Sequence, residues 1–254
     1  MSQPDSNDIS PAAPSPRQPG WNDMAEDIFG LSLRGFRTMK DLVVRPANVF
    51  RAARVADWHT LYTPSVRLVS SLVALMLLLR ILWAGEDSAM YQTVLAQIET
   101  IAAASPRISD AGQLADQYFN TWAVVFPFVY LAVHFLVSML VRLWGKDATL
   151  VTRVRLYFAA LVPGMLIANL SLIVMPFIST SQLFTFTGVY LVLCALAYGL
   201  TAYFGLKAIY PQAGARIWRA CLFALIALLA DTATSMISSV IGGAYGALIG
   251  VTGA

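Results

Sequence analysis

Long apolar blocks separated by short polar stretches dominate the chain from about residue 64 onward. Five of them, approximately Pro64–Ala84, Thr121–Trp144, Leu156–Ile178, Leu183–Leu206 and Ala220–Val251, meet the length of about 20 residues that a helix needs to cross a hydrocarbon core. Ahead of these blocks, residues 21–63 take up a helical period, with Phe29, Leu33, Phe36, Met39 and Val43 along one side and Arg34, Arg37 and Asp41 away from it. Proline suits the first turn of a helix and disrupts an interior, so Pro46 predicts a second short helix. In that helix Val49, Phe50 and Ala53 face one way and Asn48, Arg51 and Arg54 the other. Residues 1–20 hold five prolines among polar residues, offer too little apolar surface to offset ordering, and are expected to be disordered. They contain no apolar signal-peptide core, so insertion is expected to use the first internal block.

Residues 85–120 are too long for a bare connection. Tyr91, Val94, Leu95, Ile98, Ile101 and Ala102 predict an amphipathic helix there, ended by Ser105–Pro106 and followed by a short helix from about Asp110 to Phe119. This loop reads as a cap on the bundle or as a docking surface for an extracytoplasmic partner.

Composition agrees with the pattern. Of 254 residues, 58% are hydrophobic and 12% charged, against about 25% charged in soluble chains. An ordinary soluble domain is excluded, and the reading is an all-α integral membrane protein: a five-helix transmembrane bundle preceded by amphipathic interfacial helices.

Basic residues set the orientation. The N-terminal region carries Arg17, Arg34, Arg37, Lys40, Arg45, Arg51 and Arg54; the second loop carries Arg142, Lys146, Arg153 and Arg155; the fourth carries Lys207, Arg216 and Arg219. Residues 85–120 hold only Arg107 beside five acids, and neither Ser179–Gln182 nor the C-terminus has a basic residue. The alternation predicts a multi-pass inner (plasma) membrane protein with the N-terminus cytoplasmic and the C-terminus extracytoplasmic. Arg34, Arg37, Lys40, Arg45, Arg51 and Arg54 are candidate contacts to anionic lipid on the cytoplasmic face. The alternative is a helical pair folded onto its own bundle. The basic residues form no stripe with interleaved aromatics, so no nucleic-acid partner is expected.

Polar residues inside the spans carry the candidate chemistry. Asp231 lies twelve positions beyond Arg219, about 18 Å into its helix. Ionisable groups at such depth indicate an ion or proton path, a substrate contact or a structural ion pair. Arg80, at a comparable height on the first span, is a candidate partner, although it could instead snorkel to the headgroups. Asn169 and His134 lie at depths that could complete a polar layer, acting as interhelical glue or as a relay. Ser238, Gly242, Gly246 and Gly250 recur every fourth residue, clearing one face of the last span for close helix packing. The packing partner is another span or a second copy, and a break near Gly242–Gly243 would line a site as in some transporters.

Nucleotide-binding, serine-nucleophile and zinc motifs are all absent, and Cys194 and Cys221 do not stand at CxxC spacing. Gly145–Lys146 reads as a turn. No catalytic residue, metal ligand or cofactor is expected.

The stretch Leu42-Val43-Val44-Arg45-Pro46-Ala47-Asn48-Val49-Phe50, with Leu143-Trp144-Gly145-Lys146, Leu161-Val162-Pro163-Gly164 and Tyr203-Phe204-Gly205-Leu206-Lys207, resembles landmarks of the Yip (Ypt-interacting protein) family, particularly its bacterial members. The resemblance covers about residues 40–240 and implies five spans without implying a reaction. The acidic-leucine-glycine-proline signature of eukaryotic members is absent. Tyr62-Thr63-Pro64-Ser65-Val66-Arg67-Leu68, within Arg37–Leu68, also resembles a bacterial inner-membrane family whose members often begin with a zinc ribbon, lacking here. The expected function is a non-enzymatic membrane scaffold or accessory protein, with a membrane-protein partner or a second copy possible. The alternative is a small transporter, channel or lipid-moving protein built around Asp231. A cavity reaching Asp231 would favour the alternative.

Overall fold

A computed structural model describes residues 33–104 and 110–252, and among these it contains helices and no strand. In chain order they are α1 (Leu33–Val44), α2 (Pro46–Ala52), α3 (Trp58–Leu61), α4 (Ser65–Leu78), α5 (Arg80–Trp83), α6 (Ala89–Ala104), α7 (Ala111–Leu140), α8 (Leu150–Val174), α9 (Leu183–Gly205) and α10 (Ala213–Thr252). Residues 1–32, including Arg17 and the expected disordered tail, lie outside the described residues.

Four helices, α7 to α10, are long and apolar enough to cross a membrane. Their outward faces carry Val124, Phe128, Leu196, Leu200, Leu225 and Leu229, all more than half exposed. Apolar surface this extensive is costly in water and fits a lipid environment, which makes the chain a multi-pass membrane protein. The ends of these helices follow from local chemistry. Asp110 Oδ1 accepts from the Gln113 N–H at 2.9 Å, and Thr149 Oγ1 accepts from the Thr152 N–H at 3.2 Å, so each caps an otherwise unpaired donor. The predicted short helix before the second span is continuous with it in the 30-residue α7. The last helix runs unbroken through Gly242–Gly243, so the expected break is not there.

The first apolar block differs most from expectation. Its regular helix, α4, has 14 residues, about 21 Å, and stops at Leu79, whose ψ of 3° leaves the helical region. The Trp83 indole N–H donates to the Met76 carbonyl at 3.0 Å. A continuous helix would give that carbonyl to the Arg80 N–H. A buried aromatic side chain thereby satisfies the carbonyl freed by the interruption.

α6 lies against α7. The Tyr91 hydroxyl donates to Asp116 Oδ1 at 2.9 Å, the Tyr91 ring stacks on Phe119 at 5.5 Å, and Val94, Leu95 and Ile98 pack on the core. Burial, then the Asp116 carboxyl, pushes the Tyr91 phenol up to about 12.

The N-terminal helices are seated on the other end of the bundle. Val49 and Phe50 of α2, and Ala53 just after it, are fully buried. The Phe50 ring occupies the space that a Cβ on Gly205 would need, with ring atoms from 2.5 Å, and meets Trp144 edge-on at 5.8 Å. Three of the stretches quoted above thus converge in one contact. On α1 the inward side is Gly35, Thr38, Met39 and Leu42, whereas Phe36 and Val43 are exposed. The expected single apolar side is divided in two, one part on protein and one part outward. Tyr62 anchors the segment by donating to Asp41 Oδ2 at 3.0 Å; burial, then this carboxyl, raises its phenol.

Candidate functional site

One polar residue from each of the four long helices meets at the centre of the bundle. Asp231 of α10 accepts a hydrogen bond from the Tyr198 hydroxyl of α9 at 2.8 Å. Its other oxygen, Oδ1, lies 3.1 Å from His134 Nε2 of α7, an approach off the hydrogen-bond axis. His134 Nδ1 is 3.0 Å from the Tyr157 hydroxyl of α8. The group Tyr157–His134–Asp231–Tyr198 can hold four helices together, and a proton could pass from His134 to Asp231 only once the ring turned onto the hydrogen-bond axis; the His tautomer decides which groups donate.

Packing holds the group in place. His134 is fully buried beneath the Tyr130 ring at 4.1 Å, and Phe223 wedges edge-on between Tyr157 and Tyr198 at 5.5 and 6.3 Å. Gly164 faces Tyr198 so closely that a Cβ would fall 2.0 Å from the ring. Tyr198 reaches Asp231 because α8 has no side chain at that position.

Asp231 is the member of this group that faces open space. Its side chain is 24% exposed and lines a cavity of about 430 Å³ open on one side, together with Thr232 and Ser235. The rest of the wall is largely apolar and aromatic, with Trp83, Trp122, Phe126 and Tyr190 among its residues. The volume lies within the range of small-molecule sites, and one polar wall in an apolar chamber is their usual construction.

Of the four residues expected to form a polar layer, the structure joins His134 and Asp231. Arg80, half-buried at the start of α5, takes no part: among the described residues the side chains beside the Asp231 carboxyl are His134 and Tyr198. Asn169 is buried at a different contact, donating to the Leu72 carbonyl of α4 at 3.2 Å. Tyr157 and Tyr198 were not among the expected residues; depth counting puts Tyr198 eight residues from the end of its span at Leu206, level with His134, but puts Tyr157 one residue past the start of its span.

Gly242 packs against Tyr118 of α7. Ser238 is fully buried, and a Cβ on Gly242 would lie 3.3 Å from Tyr118, so the partner of this face is within the chain. The surroundings of Gly246 and Gly250 lie outside the described residues. Among the basic candidates, Arg34 donates to the His59 carbonyl at 3.0 Å and Arg54 to the Trp144 carbonyl at 3.1 Å. Arg37, Lys40, Arg45 and Arg51 are exposed. Among the described residues no three of His, Cys, Asp and Glu converge as a metal site requires.

Comparison with known proteins finds no family model, no curated protein and no solved structure that matches the chain.

Proposed function

We propose that this membrane protein takes an amphipathic molecule into the cavity beside Asp231 and moves it across or within the bilayer, as a small transporter or lipid-moving protein. The observation that carries this reading is the opening of an apolar, aromatic-walled chamber onto a carboxyl group at mid-bundle depth. A dry site with every polar group paired inside protein would have favoured a scaffold. Trp83, Trp122 and Phe126 suit the apolar body of a ligand, and Asp231, Thr232 and Ser235 suit its polar head.

The reading includes five crossings, the first made by α4 and α5 together. Ser65–Trp83 is 19 residues, about 28 Å at helical rise. It also puts the basic loops on the cytoplasmic side of an inner membrane, supported by the alternation of basic and base-free loops.

A scaffold reading has support from a different observation. Phe36, Val43 and Val44 are exposed on α1 beside Arg37, Lys40 and Arg45, a combination suited to anionic headgroups. The Yip-like resemblance belongs with this reading, supported by the mutual packing of Phe50, Trp144 and Gly205.

The test uses the full chain in vesicles, with tetraphenylphosphonium and a fluorescently labelled phospholipid as probes. The expected result is binding or movement of one probe above protein-free vesicles, lost in a folded Asp231→Asn variant. Rates equal to empty vesicles for both probes, or an Asp231→Asn variant equal to wild type, would contradict the proposal.

A further inference from the structure

At the opposite end of the bundle from the Asp231 cavity, where α7 ends and α8 begins, a second cavity of about 380 Å³ is lined by Arg142, Gly145, Lys146, Arg153, Tyr210 and Arg219. Four of these six residues are cations, and none of the six is an acid. Like charges gathered around one space repel unless an anion is shared between them. Among the described residues none of the four has a carboxylate partner; the acid of this loop, Asp147, is turned to Arg54. The Asp147 backbone N–H, then the Arg54 guanidinium, hold that carboxyl below the usual range; it pairs with Arg54 and is not among the residues lining the cavity.

Two of the cations are fixed in place. Arg153 Nε donates to the Ala148 carbonyl at 3.1 Å, and Arg219 Nη1 to the Ala215 carbonyl at 2.7 Å. The Arg219 guanidinium also lies over the Tyr210 ring at 3.9 Å and the Trp218 ring at 4.3 Å. Each guanidinium retains further N–H groups for a ligand. Gly145 holds the loop at φ +105°, a conformation costly for other residues, and thereby sets Arg142 and Lys146 at the same rim.

We propose that this cavity binds a phosphate group. A carboxylate offers one charge and two oxygens, whereas a phosphomonoester carries about −1.5 to −2 and three acceptor oxygens, matching several arginines and a lysine at once. The cavity lies on the basic rim of the bundle, the height of lipid phosphates in a membrane, so an anionic headgroup and a free phosphate are the two sources of this chemistry. The inference is independent of the proposed function, because it shares no residue with the Asp231 cavity.

The experiment is a tryptophan-fluorescence titration of the full chain in neutral detergent with dioctanoyl phosphatidic acid, dioctanoyl phosphatidylcholine and inorganic phosphate. The variants are the single Arg142→Gln and Lys146→Gln, their double, and Lys207→Gln as a single-charge control on the same rim. The expected result is saturable binding of phosphatidic acid, with phosphatidylcholine much weaker. The double variant, which removes two charge-assisted contacts worth about a factor of ten each, should bind roughly a hundredfold less tightly, and the control should be within twofold of wild type. Competition by millimolar inorganic phosphate assigns the site to the free phosphate group; its absence assigns it to the lipid headgroup. Failure of both phosphatidic acid and inorganic phosphate to bind, or equal affinity in wild type and double variant, would overturn the proposal. A loss in Lys207→Gln equal to that of the single variants would also overturn it, by reducing the effect to general surface charge.

Discussion

Gly164→Ala tests whether close helix packing is what brings Tyr198 to Asp231. The added Cβ would lie 2.0 Å from Tyr198 Cε1, 2.5 Å from Cζ and 2.7 Å from Cδ1. Restoring an ordinary 3.4 Å contact moves the ring by roughly 1.4 Å. The ring is 2% exposed and backed by Phe223, so the move strains the core. It also pulls the hydroxyl beyond hydrogen-bond reach of Asp231, now 2.8 Å away. Overpacking costs about 1–3 kcal/mol and the lost hydrogen bond about 0.5–1.5. The better helix propensity of alanine offsets about 1 kcal/mol. The net expectation is a loss of about 1–3 kcal/mol, a fall of roughly 3–10 °C in thermal midpoint for a chain of this size. The assay is thermal unfolding in detergent of Gly164→Ala, Tyr198→Phe, Tyr198→Leu and Gly164→Ala/Tyr198→Leu. Tyr198→Phe, which removes only the hydroxyl, should cost about 1 kcal/mol. The double variant should be less destabilised than the sum of its singles, because a smaller side chain makes room for the Cβ. A wild-type midpoint in Gly164→Ala, or strict additivity in the double variant, would refute the reasoning.

Phe50→Ala should cost about 3–5 kcal/mol and expose the segment between α2 and α4 to limited proteolysis, because Phe50 is fully buried between Gly205 and Trp144; an unchanged cleavage rate would contradict the docking of α2. Asp231→Ala and Arg80→Leu should destabilise additively within about 0.5 kcal/mol, since the Asp231 contacts are His134 and Tyr198; partial rescue in the double variant would restore the Arg80 pairing. The folded chain holds the Tyr91 proton more tightly than the unfolded chain, up to about 12, so the α6–α7 link is fully present below about pH 10 and is lost as pH rises toward 12. Tyr91→Phe should remove this alkaline loss of stability in pH-dependent thermal scans; the same slope in the variant would place the titrating group elsewhere.

The helical class and the four long spans were legible because apolar runs of this length have few alternatives. The interruption at Leu79 was not, since neither proline nor glycine marks it; it coincides with the Trp83 indole donating to the Met76 carbonyl seven residues back, a contact that the hydrophobic pattern does not encode. The faces of α1 were legible only in part. Apolar residues occur at Phe36, Met39, Leu42 and Val43, so two adjacent stripes fit a helical period, and docking on the bundle selects the one with Gly35 and Thr38. In the site, depth counting found Asp231 and His134, which are both chemically conspicuous in an apolar run. It compares heights and says nothing of rotation about each helix axis, which is why Arg80 matched in level but not in contact. Tyr157 and Tyr198 escaped notice because tyrosine is common among apolar residues, and its hydroxyl becomes informative only beside a buried carboxyl.

The central claim is that the Asp231 chamber is reached by water and solute. The most direct measurement is labelling by a membrane-impermeant, charged thiol reagent, applied to vesicles holding a variant with Cys194 and Cys221 replaced by alanine and a single new cysteine. Ser235→Cys, on the chamber wall beside Asp231, is predicted to react. Leu196→Cys, on the outward apolar face of α9, is predicted to stay unlabelled. A Ser235→Cys variant as inert as Leu196→Cys would contradict the account.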